Sequence, residues 1–514
     1  MANETDKKRK RPIQYYASTL FIVIFFVVLE IAILATHVLW ISRAVTVINL
    51  LLRLLSLLVT LYIVNQNYST AYKLAWCIPI LLFPMVGGLA YTIAKSRRFH
   101  KRATQHILKI DRCVLDAMPK TDDDVPCETL YGKENIKNYL KARSFQMHRG
   151  DKVTYYDMAD KMLKDMLSDL ESAKDYIFLE YFIIQEGVMW NSILDVLKRK
   201  AAQGVDVRIL YDGMGSIRTL PASYPKQLAV HGIKAKQFSP FVPVLSTLQN
   251  NRDHRKITVI DGKIAYTGGT NLADEYINEV QRYGVWKDAA IRMEGGSAES
   301  FTRFFLSQWH IKESNPDKDF TRFFGKYNKQ YTKEAVIPYA CSPLDDRSCA
   351  KEVYLQVIQG AKKYLYIMTP YFIPGEEIIN ALKIAAESGV DVRLMTPAVS
   401  DNKPIHVVSR SKYDTLLDSG VRIYEYTPGF IHSKNVVCDD VITTCGSVNM
   451  DYRSLYLHFE CGSVIFGEET AKAVKDDFLT TQSICHEITK EELRQNGLFK
   501  RIYLALIRTF EPLL

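Results

Sequence analysis

Two copies of one polar pattern recur in this chain, and together they could carry out nucleophilic and acid–base chemistry. In each copy a Lys follows a His by two residues, an Asp follows it by seven and an Asn by seventeen, at a constant offset of 178 residues between the copies. The residues are His254, Lys256, Asp261 and Asn271 in the first copy and His432, Lys434, Asp439 and Asn449 in the second. A single His-x-Lys is usually surface charge, so the repetition in register is what indicates a site.

Strand geometry predicts that the polar groups of each copy point to one place. Apolar residues fill the gap between Lys and Asp, as they do in a buried strand. Residues i and i+2 of a strand share a face, so the His and the Lys of a copy point the same way. The Asn supplies an amide donor for a bound anion. Two copies facing each other would form a cationic pocket with one His on either side.

Such a pocket suits exchange at phosphorus by double displacement. One imidazole attacks phosphorus, and the other protonates the leaving alkoxide and then deprotonates the acceptor alcohol. Histidine can fill both roles near neutral pH. The Lys and Asn side chains would stabilise the charged transition state in place of a metal ion. No cluster of Asp, Glu and His has an evident metal-ligand spacing, so we predict neither a metal nor another cofactor.

Two further carboxylates are expected to orient the imidazoles. Glu460 follows His432 by 28 residues, and Asp288 occupies the corresponding place after His254, with a longer insertion between. We predict that each of these acids holds a His ring. The Asp of each motif is counted with the catalytic residues, but it comes where a strand ends before a turn. A structural role therefore competes with direct chemistry for these two residues.

The duplication extends beyond the motifs. Each copy is preceded by an apolar strand and an amphipathic helical stretch that ends at Gly-Val-Asp-Val-Arg, at residues 204–208 and 389–393. Glycine fits the position after a helix C-terminus. Strand, helix, strand and motif strand occur twice, which predicts an α/β fold of two similar halves. We place these halves at residues 151–333 and 334–487.

The chain resembles the phospholipase D superfamily and, more closely, the bacterial cardiolipin synthases. The segments that carry this resemblance are 193–198, 211–216, 253–256, 369–373, 428–432 and 449–454. The resemblance implies two phospholipase D-like halves that form one bilobal catalytic domain. One departure is His458, which stands where the family usually has Asn before Phe-Glu. We expect it to be a neighbour of the site without a catalytic role.

The resemblance also implies an activity. It is the transfer of a phosphatidyl group between two phosphatidylglycerol molecules, giving cardiolipin and glycerol through a phosphohistidine. In the family the first-motif His is the nucleophile and the second is the acid and base. These roles carry over to His254 and His432, although the near symmetry of the halves fixes the pair better than the order.

The first hundred residues differ in composition from the rest of the chain. Three strongly apolar stretches occur there, each close to the roughly 20 residues that span a bilayer. They are residues 18–41, 45–64 and 74–94. We predict a membrane anchor of two to three transmembrane helices over 1–98 and a juxtamembrane connector over 99–150. An amphipathic helix is predicted at the C-terminal end, over 488–514.

Charge and cysteine content place the catalytic part beside an anionic membrane. The net charge of +9 is concentrated at the N-terminus and just after the third apolar stretch, where it would meet anionic headgroups. The nine cysteines are odd in number and form no Cys-x-x-Cys, which favours a reducing compartment. We therefore predict a cell-membrane protein with a cytoplasmic catalytic domain and an anionic phospholipid partner.

The motifs leave alternative functions open. Hydrolysis by water, as in a phospholipase D, or transfer to another acceptor alcohol would use the same catalytic residues. Nucleases also occur in the superfamily, but the apolar N-terminus makes nucleic acid an improbable substrate. A scaffold with a degenerate site is disfavoured because both motifs retain their His, Lys and Asn residues.

Overall fold

The structure is a computed structural model. It describes residues 43–66, 70–84, 97–121, 133–239, 251–311, 319–327, 332–345 and 347–493, together with a few single residues outside these ranges. The chain divides into two compact units. The first comprises Met1–Phe99, Val242–Gln249 and Ala505–Leu514, and the second comprises His100–Phe241 and Asn250–Leu504.

Two helices make up the described part of the first unit, α1 (Arg43–Val64) and α2 (Thr70–Leu82). A small apolar cluster forms around Ile63, Ile80 and Tyr91. Within the described residues no helix has the length and apolarity needed to cross a membrane, so the spans predicted over 45–64 and 74–94 are not confirmed. The stretch 18–41 lies outside the described residues, as does most of the predicted C-terminal helix.

The second unit contains the strands. Those before residue 295 are β1 (His148–Arg149), β2 (Lys152–Tyr156), β3 (Tyr176–Tyr181), β4 (Asp206–Asp212), β5 (Lys234–Phe238), β6 (Arg252–Asp253), β7 (Lys256–Ile260), β8 (Ile264–Gly268), β9 (Val285–Lys287) and β10 (Ala290–Glu294). The later strands are β11 (Ala335–Cys341), β12 (Tyr364–Met368), β13 (Phe372–Ile373), β14 (Asp391–Pro397), β15 (Arg422–Tyr426), β16 (Gly429–Ile431), β17 (Asn435–Cys438), β18 (Ile442–Gly446), β19 (Met450–Asp451), β20 (His458–Phe466) and β21 (Cys485–Glu487).

Helices alternate with these strands along the chain. They are α3 (Arg97–Ala117), α4 (Glu134–Ala142), α5 (Ala159–Ser172), α6 (Val188–Ala202), α7 (Tyr224–Ala229), α8 (Ser297–Trp309), α9 (Cys349–Gly360), α10 (Glu376–Glu387), α11 (Lys403–Arg410), α12 (Tyr413–Asp418), α13 (Tyr452–Tyr456), α14 (Glu468–Gln482) and α15 (Lys490–Leu493), with a 3-10 turn at Thr321–Phe323.

The strands form two sheets with the same order and the same strand directions. The first sheet runs β2-β10-β8-β7-β3-β4-β5, and the second contains β11-β20-β18-β17-β12-β14-β15, extended by β1 at one edge and β21 at the other. In both, the three strands at the second end of the order are parallel and the others are antiparallel. The predicted pair of similar α/β halves is therefore present.

Local sequence explains the elements at the centre of each sheet. Strands β3 and β12 are buried at every position, as expected of apolar runs covered on both faces. Helices α6 and α10 end just before Gly204 and Gly389, which adopt positive φ angles of 91° and 93°. Only a residue without a Cβ takes this conformation readily, so the glycine at the end of each helix terminates it as predicted.

The halves share a core and exchange short strands. One apolar cluster combines residues of the first sheet, such as Ile257 and Val259, with Phe459 and Ile465 of the second. Strand β6 pairs in parallel with the start of β20, and β16 pairs in parallel with β9. Each of these contacts lies directly before a motif His, so the joint between the halves positions both histidines.

Candidate active site

Each motif His lies just before a strand, and the ammonium of its own Lys bonds to its backbone carbonyl. His254 lies between β6 and β7, and the Lys256 ammonium donates to the His254 carbonyl at 2.6 Å. In the second half the Lys434 ammonium donates to the His432 carbonyl in the same way. All four side chains are buried. The repeated sequence spacing thus produces the same local geometry twice.

The carboxylate that holds each imidazole comes from the opposite half. His254 Nδ1 lies 2.9 Å from Glu460 Oε1, and His432 Nδ1 lies 2.6 Å from Asp288 Oδ2. Sequence position alone puts each acid after the His of its own half. In the structure each His is paired with the acid of the other half, so neither half orients its His without the other.

Strand pairing between the halves explains the exchange. The His254 amide donates to the carbonyl of Phe459, the residue before Glu460, at 2.9 Å. The His432 amide donates to the carbonyl of Lys287, the residue before Asp288, at 2.6 Å. In each case the parallel strand pair continues by one bond into the motif and places the next residue, the acid, beside the ring.

Burial keeps both imidazoles neutral at neutral pH. It lowers the pKa of His254 to about 3 and that of His432 to about 4, although the neighbouring carboxylates oppose the shift. Burial alone would raise the pKa of Glu460, but its hydrogen bond with His254 and the charge of Lys256 bring it below its usual range. A carboxylate only accepts, so each ring donates its Nδ1 proton and leaves Nε2 with a free lone pair. That is the tautomer of a nucleophile or a general base.

The two lysines lie close enough to influence each other. Burial is the main cause that lowers the pKa of Lys256 to about 7 and that of Lys434 to about 8. The charge of Lys434 also lowers the pKa of Lys256, whereas Glu460 and Asp288 raise the pKa of both lysines. Both acids act on both lysines, which means that the polar groups of the two motifs meet in one place. A phosphate anion bound there would favour the charged form of both lysines.

The Asp of each motif lies apart from this cluster. The five-residue strand β7 separates Lys256 from Asp261, a span of about 17 Å. The Asp261 carboxylate accepts from the amides of residues 174, 175 and 176 at 2.8–2.9 Å, and Asp439 accepts from those of 362, 363 and 364 at 2.8–3.1 Å. These contacts do not support the prediction that Asp261 and Asp439 are catalytic. Of the two roles left open, the arrangement favours the structural one.

The two asparagines differ in what they contact. Asn271 accepts from the Ile183 amide at 3.0 Å and donates to the Tyr276 hydroxyl at 2.6 Å. Asn449 is buried, and its side-chain oxygen has no hydrogen-bond partner among the described residues. The Asn449 carboxamide is thus the one with spare bonding capacity. Phosphate binding by either residue stays a prediction.

Known protein families match the regions of the chain that contain this site. A family model described as cardiolipin synthase, PLD-like domain, matches residues 166–295 and 354–481, which include both motifs. A second, described as phospholipase D-nuclease N-terminal, matches residues 54–95. A cardiolipin synthase 2 of Staphylococcus epidermidis is 31% identical over 91% of this chain and 98% of its own length. The chain belongs to the cardiolipin synthase family of the phospholipase D superfamily.

Other relatives agree with this assignment. An uncharacterised protein of Streptococcus mutans is 38% identical over 88% of this chain and 99% of its own length. Among solved structures, a phosphatidylserine synthase of Haemophilus influenzae superimposes with a TM-score of 0.56 at 16% identity, covering 75% of this chain and all of that one. This similarity supports the fold alone. The resemblance drawn from the sequence, and the α/β fold of two phospholipase D-like halves, are confirmed.

The residue two positions before each acid differs between the halves of this family member. His458 precedes Glu460, and its ring centroid lies 5.5 Å from that of His254. Trp286 precedes Asp288, and its ring lies 5.3 Å from that of His432. Alternate residues of a strand share a face, so a side chain two before an orienting acid must also face the site. His458 was predicted from the sequence to be a neighbour of the site, and this rule could have identified Trp286 as well.

A buried cluster of charged side chains behind His254 was also not predicted from the sequence. The Arg255 guanidinium lies 3.6 Å from the Glu180 carboxylate and donates to the Glu460 carbonyl at 3.2 Å. Burial raises the pKa of Asp253, which belongs to the same cluster, to about 6. The signal was a Glu inside the otherwise apolar strand β3. The second half has Met368 at the place of Glu180, so this cluster supports one imidazole only.

Among the described residues, one group of side chains could hold a metal ion. Donor atoms of His254, His458 and Glu460 all lie within 4.8 Å of one another. The sequence suggested no metal-ligand spacing because two of these residues are on β20 and the third is in the other half. The exchange of acids between the halves is what brings the three together.

Proposed function

We propose that this chain joins two phosphatidylglycerol molecules into cardiolipin and releases glycerol, through a phosphatidyl-histidine intermediate. The observation that carries the proposal is the pair of buried imidazoles, each bonded through Nδ1 to a carboxylate of the opposite half. Two neutral rings with free Nε2 atoms in one cationic pocket provide a nucleophile and a separate proton carrier. The names of the relatives, cardiolipin synthases, support the choice of donor and acceptor.

In the first step His254 is the nucleophile. Its Nε2 attacks phosphorus, the N–P bond forms, and the P–O bond to the glycerol headgroup breaks. The departing alkoxide takes a proton from His432, which must be protonated for this step. Bound phosphate favours that protonated form by its negative charge, and Asp288 stabilises it. Glu460 does the same for the positive charge that develops on His254.

In the second step the same groups act in reverse. Neutral His432 removes the proton from a headgroup hydroxyl of the second phosphatidylglycerol, and that oxygen attacks phosphorus. The O–P bond forms, the N–P bond breaks, and His254 returns to its neutral state. Lys256 and Lys434 stabilise the non-bridging oxygens in both steps. Both lysines are buried, and the attraction between opposite charges is stronger where water is excluded. Water as acceptor would give phosphatidic acid instead of cardiolipin.

We place this reaction at the cell membrane with the catalytic unit on the cytoplasmic side. Helix α1 exposes a series of leucines at about half to two thirds of their surface. They are Leu50, Leu51, Leu54, Leu55, Leu57, Leu58 and Leu61. An apolar surface of this extent needs an apolar environment, which a phospholipid bilayer supplies. The match of residues 54–95 to a phospholipase D N-terminal family model supports the same placement.

The test separates the two histidines with an activated substrate. A phosphatidyl ester of p-nitrophenol has a leaving group that needs no general acid, so formation of the intermediate depends on the nucleophile alone. We expect His432→Ala protein to release about one equivalent of p-nitrophenol and then stop, with the phosphatidyl group on His254 after a quench in alkaline denaturant, which preserves the N–P bond. His254→Ala protein should release none. His486→Ala, a change at an exposed His paired with Glu492, serves as the control.

Two results would contradict the proposal. Full turnover of phosphatidylglycerol by either His variant would rule out the two-histidine mechanism. A burst in His254→Ala with the adduct on His432 would exchange the two roles. Analysis of the wild-type products decides the acceptor, since cardiolipin with glycerol indicates transfer and phosphatidic acid indicates hydrolysis.

A further inference from the structure

His458 places a third metal-ligating group at one of the two half-sites. Its side chain is nine-tenths buried, and its Nδ1 lies 3.7 Å from Glu460 Oε1, beyond a normal hydrogen bond. That nitrogen has no hydrogen-bond partner among the described residues. It therefore faces the carboxylate oxygen that His254 also contacts, with its own bonding capacity unused.

Two imidazoles and one carboxylate form a ligand set that favours zinc over calcium and magnesium. Zinc binds this combination at about 2.0–2.2 Å and keeps a fourth position for water or substrate. Calcium and magnesium prefer oxygen ligands alone, so they fit these donors poorly. The donor atoms of His254, His458 and Glu460 already lie within 4.8 Å of one another, so small side-chain shifts suffice to enclose one ion.

We propose that His254, His458 and Glu460 form a binding site for a divalent transition-metal ion such as Zn²⁺, and that its occupation inhibits the enzyme. The ion binds His254 Nδ1, whose proton moves to Nε2, and takes the Glu460 oxygen that otherwise orients the ring. Because Nε2 then carries the proton, the ring has no free lone pair with which to attack phosphorus.

The surroundings of Glu460 favour binding. Ser447 donates to the other Glu460 oxygen and holds the carboxylate in place, as outer partners of metal ligands commonly do. Ligation by His458 Nδ1 requires its ring to give up a long contact, 3.4 Å, from Arg453 Nε to Nε2.

The other half-site provides an internal comparison. There Trp286 stands at the place of His458, so His432 and Asp288 offer only two donor groups. The proposal therefore requires one ion for each chain, bound at the His254 side.

The binding claim stands by itself, whereas the inhibition claim rests on the proposed function, in which His254 is the nucleophile. We would titrate purified full-length protein in detergent micelles with Zn²⁺ by calorimetry and with Co²⁺ by visible absorption. We expect one ion per chain and a tetrahedral cobalt spectrum. His458→Asn, which restores the usual family residue, should weaken binding by about 10- to 100-fold or more. His486→Asn is the matched control for loss of an exposed His.

Activity is then measured against Zn²⁺, with each protein compared to its own metal-free rate. We expect micromolar Zn²⁺ to inhibit wild type and the control, and to need at least about 10-fold higher concentration in His458→Asn. Equal Zn²⁺ affinity in wild type and His458→Asn would overturn the metal site. One bound ion that His458→Asn abolishes, without inhibition of the wild type, would leave the site in place and contradict the nucleophilic role of His254.

Discussion

The surroundings of His254 and His432 differ even though the backbone around them is the same. Both histidines follow a short strand that pairs in parallel with the opposite half, and both donate their amide to the residue before an acid. Next to His254 are the titratable ring of His458 and the ring of Phe182, whose centroid lies 5.1 Å away. The side chains, and not the framework, distinguish the two half-sites.

Aromatic groups surround His432 more completely. The rings of Tyr276, Trp286 and Phe430 lie 5.3–5.9 Å from its own. Behind His254, by contrast, the buried Arg255 and Glu180 support the strand that carries Glu460. A shared backbone therefore supplies two equivalent imidazoles, and the divergence of their neighbours can assign a different task to each. In the proposed mechanism those tasks are nucleophile at His254 and proton carrier at His432.

The largest expected effect comes from removing the charge of one acid at a time. Glu460→Gln and Asp288→Asn should each lower kcat for phosphatidylglycerol by about 100-fold or more, because the imidazolium or phospho-imidazolium loses its carboxylate. With the p-nitrophenyl ester the two variants should separate. Glu460→Gln slows the burst of p-nitrophenol, whereas Asp288→Asn leaves its rate near that of wild type.

Stopped-flow absorption of p-nitrophenol measures the burst, and product analysis gives the steady-state rate. Circular dichroism of both variants controls for folding. If Asp288→Asn slowed the burst and Glu460→Gln did not, each acid would act on the ring of its own half or the roles of the rings would be reversed. Either result would break the comparison between the half-sites.

Local pattern explains what the sequence could predict. Apolar runs and their glycine ends define the strands and helices, and the repetition of His, Lys and Asn identifies both motifs, because each signal depends on residues close together in the chain. Glu460 and Asp288 were recognised as His-orienting acids by their spacing. Their partners could not be recognised, because the exchange depends on β6 meeting β20 and β16 meeting β9 once the halves dock.

Two other features required the docked structure as well. His458 was expected to be a mere neighbour, and its approach to His254 becomes visible only when β20 lies against the first motif. The Asp of each motif shares the strict spacing of His and Lys, so sequence pattern could not separate a structural from a catalytic constraint. The hydrogen bonds that distinguish these roles run to amides 75–87 residues away in the chain.

An intermediate effect is expected where the halves differ by one small residue. A Cβ at Gly269 would overlap the Asp288 carboxylate and lie 2.9 Å from the His432 carbonyl, so Gly269→Ala must displace the acid. At the equivalent position Ser447 donates to Glu460, so Ser447→Ala removes one charge-assisted hydrogen bond. We expect kcat to fall by more than about 10-fold in Gly269→Ala and by about 10-fold or less in Ser447→Ala.

Steady-state kinetics of both variants, with matched thermal unfolding curves, check this order. No space for a further side-chain atom remains at Gly269 beside the Asp288 carboxylate. At the corresponding position beside Glu460, the hydroxyl of Ser447 occupies the space. Unchanged kcat in Gly269→Ala would mean that Asp288 can move without consequence for His432. Such a result would remove one of the differences between the two half-sites.

The smallest effect on turnover is expected at the motif aspartates, where the halves are most alike. Asp261 and Asp439 have φ angles of 53° and 54°, a left-handed conformation that Asp and Asn tolerate better than other side chains. Each carboxylate accepts hydrogen bonds from three amides at the start of a strand of its own half, β3 for Asp261 and β12 for Asp439. Asn keeps the conformation but loses one acceptor and the charge, so Asp261→Asn and Asp439→Asn should each reduce the free energy of unfolding by about 1–3 kcal/mol.

The two aspartates should also differ slightly in a way that the structure specifies. Asp439 lies 3.4 Å from the Lys133 ammonium, and its amide contacts and Lys133 lower its pKa although burial opposes this. A carboxyl with a lowered pKa stabilises the fold above its unfolded pKa, and that stability disappears as the pH falls through the folded value. Urea unfolding at pH 7 and at about pH 2.5, below the usual Asp pKa of about 3.9, should thus show that Asp439→Asn loses less stability at the lower pH, while kcat per folded molecule at pH 7 matches wild type. A fall in kcat without a fall in stability would return both aspartates to the catalytic group.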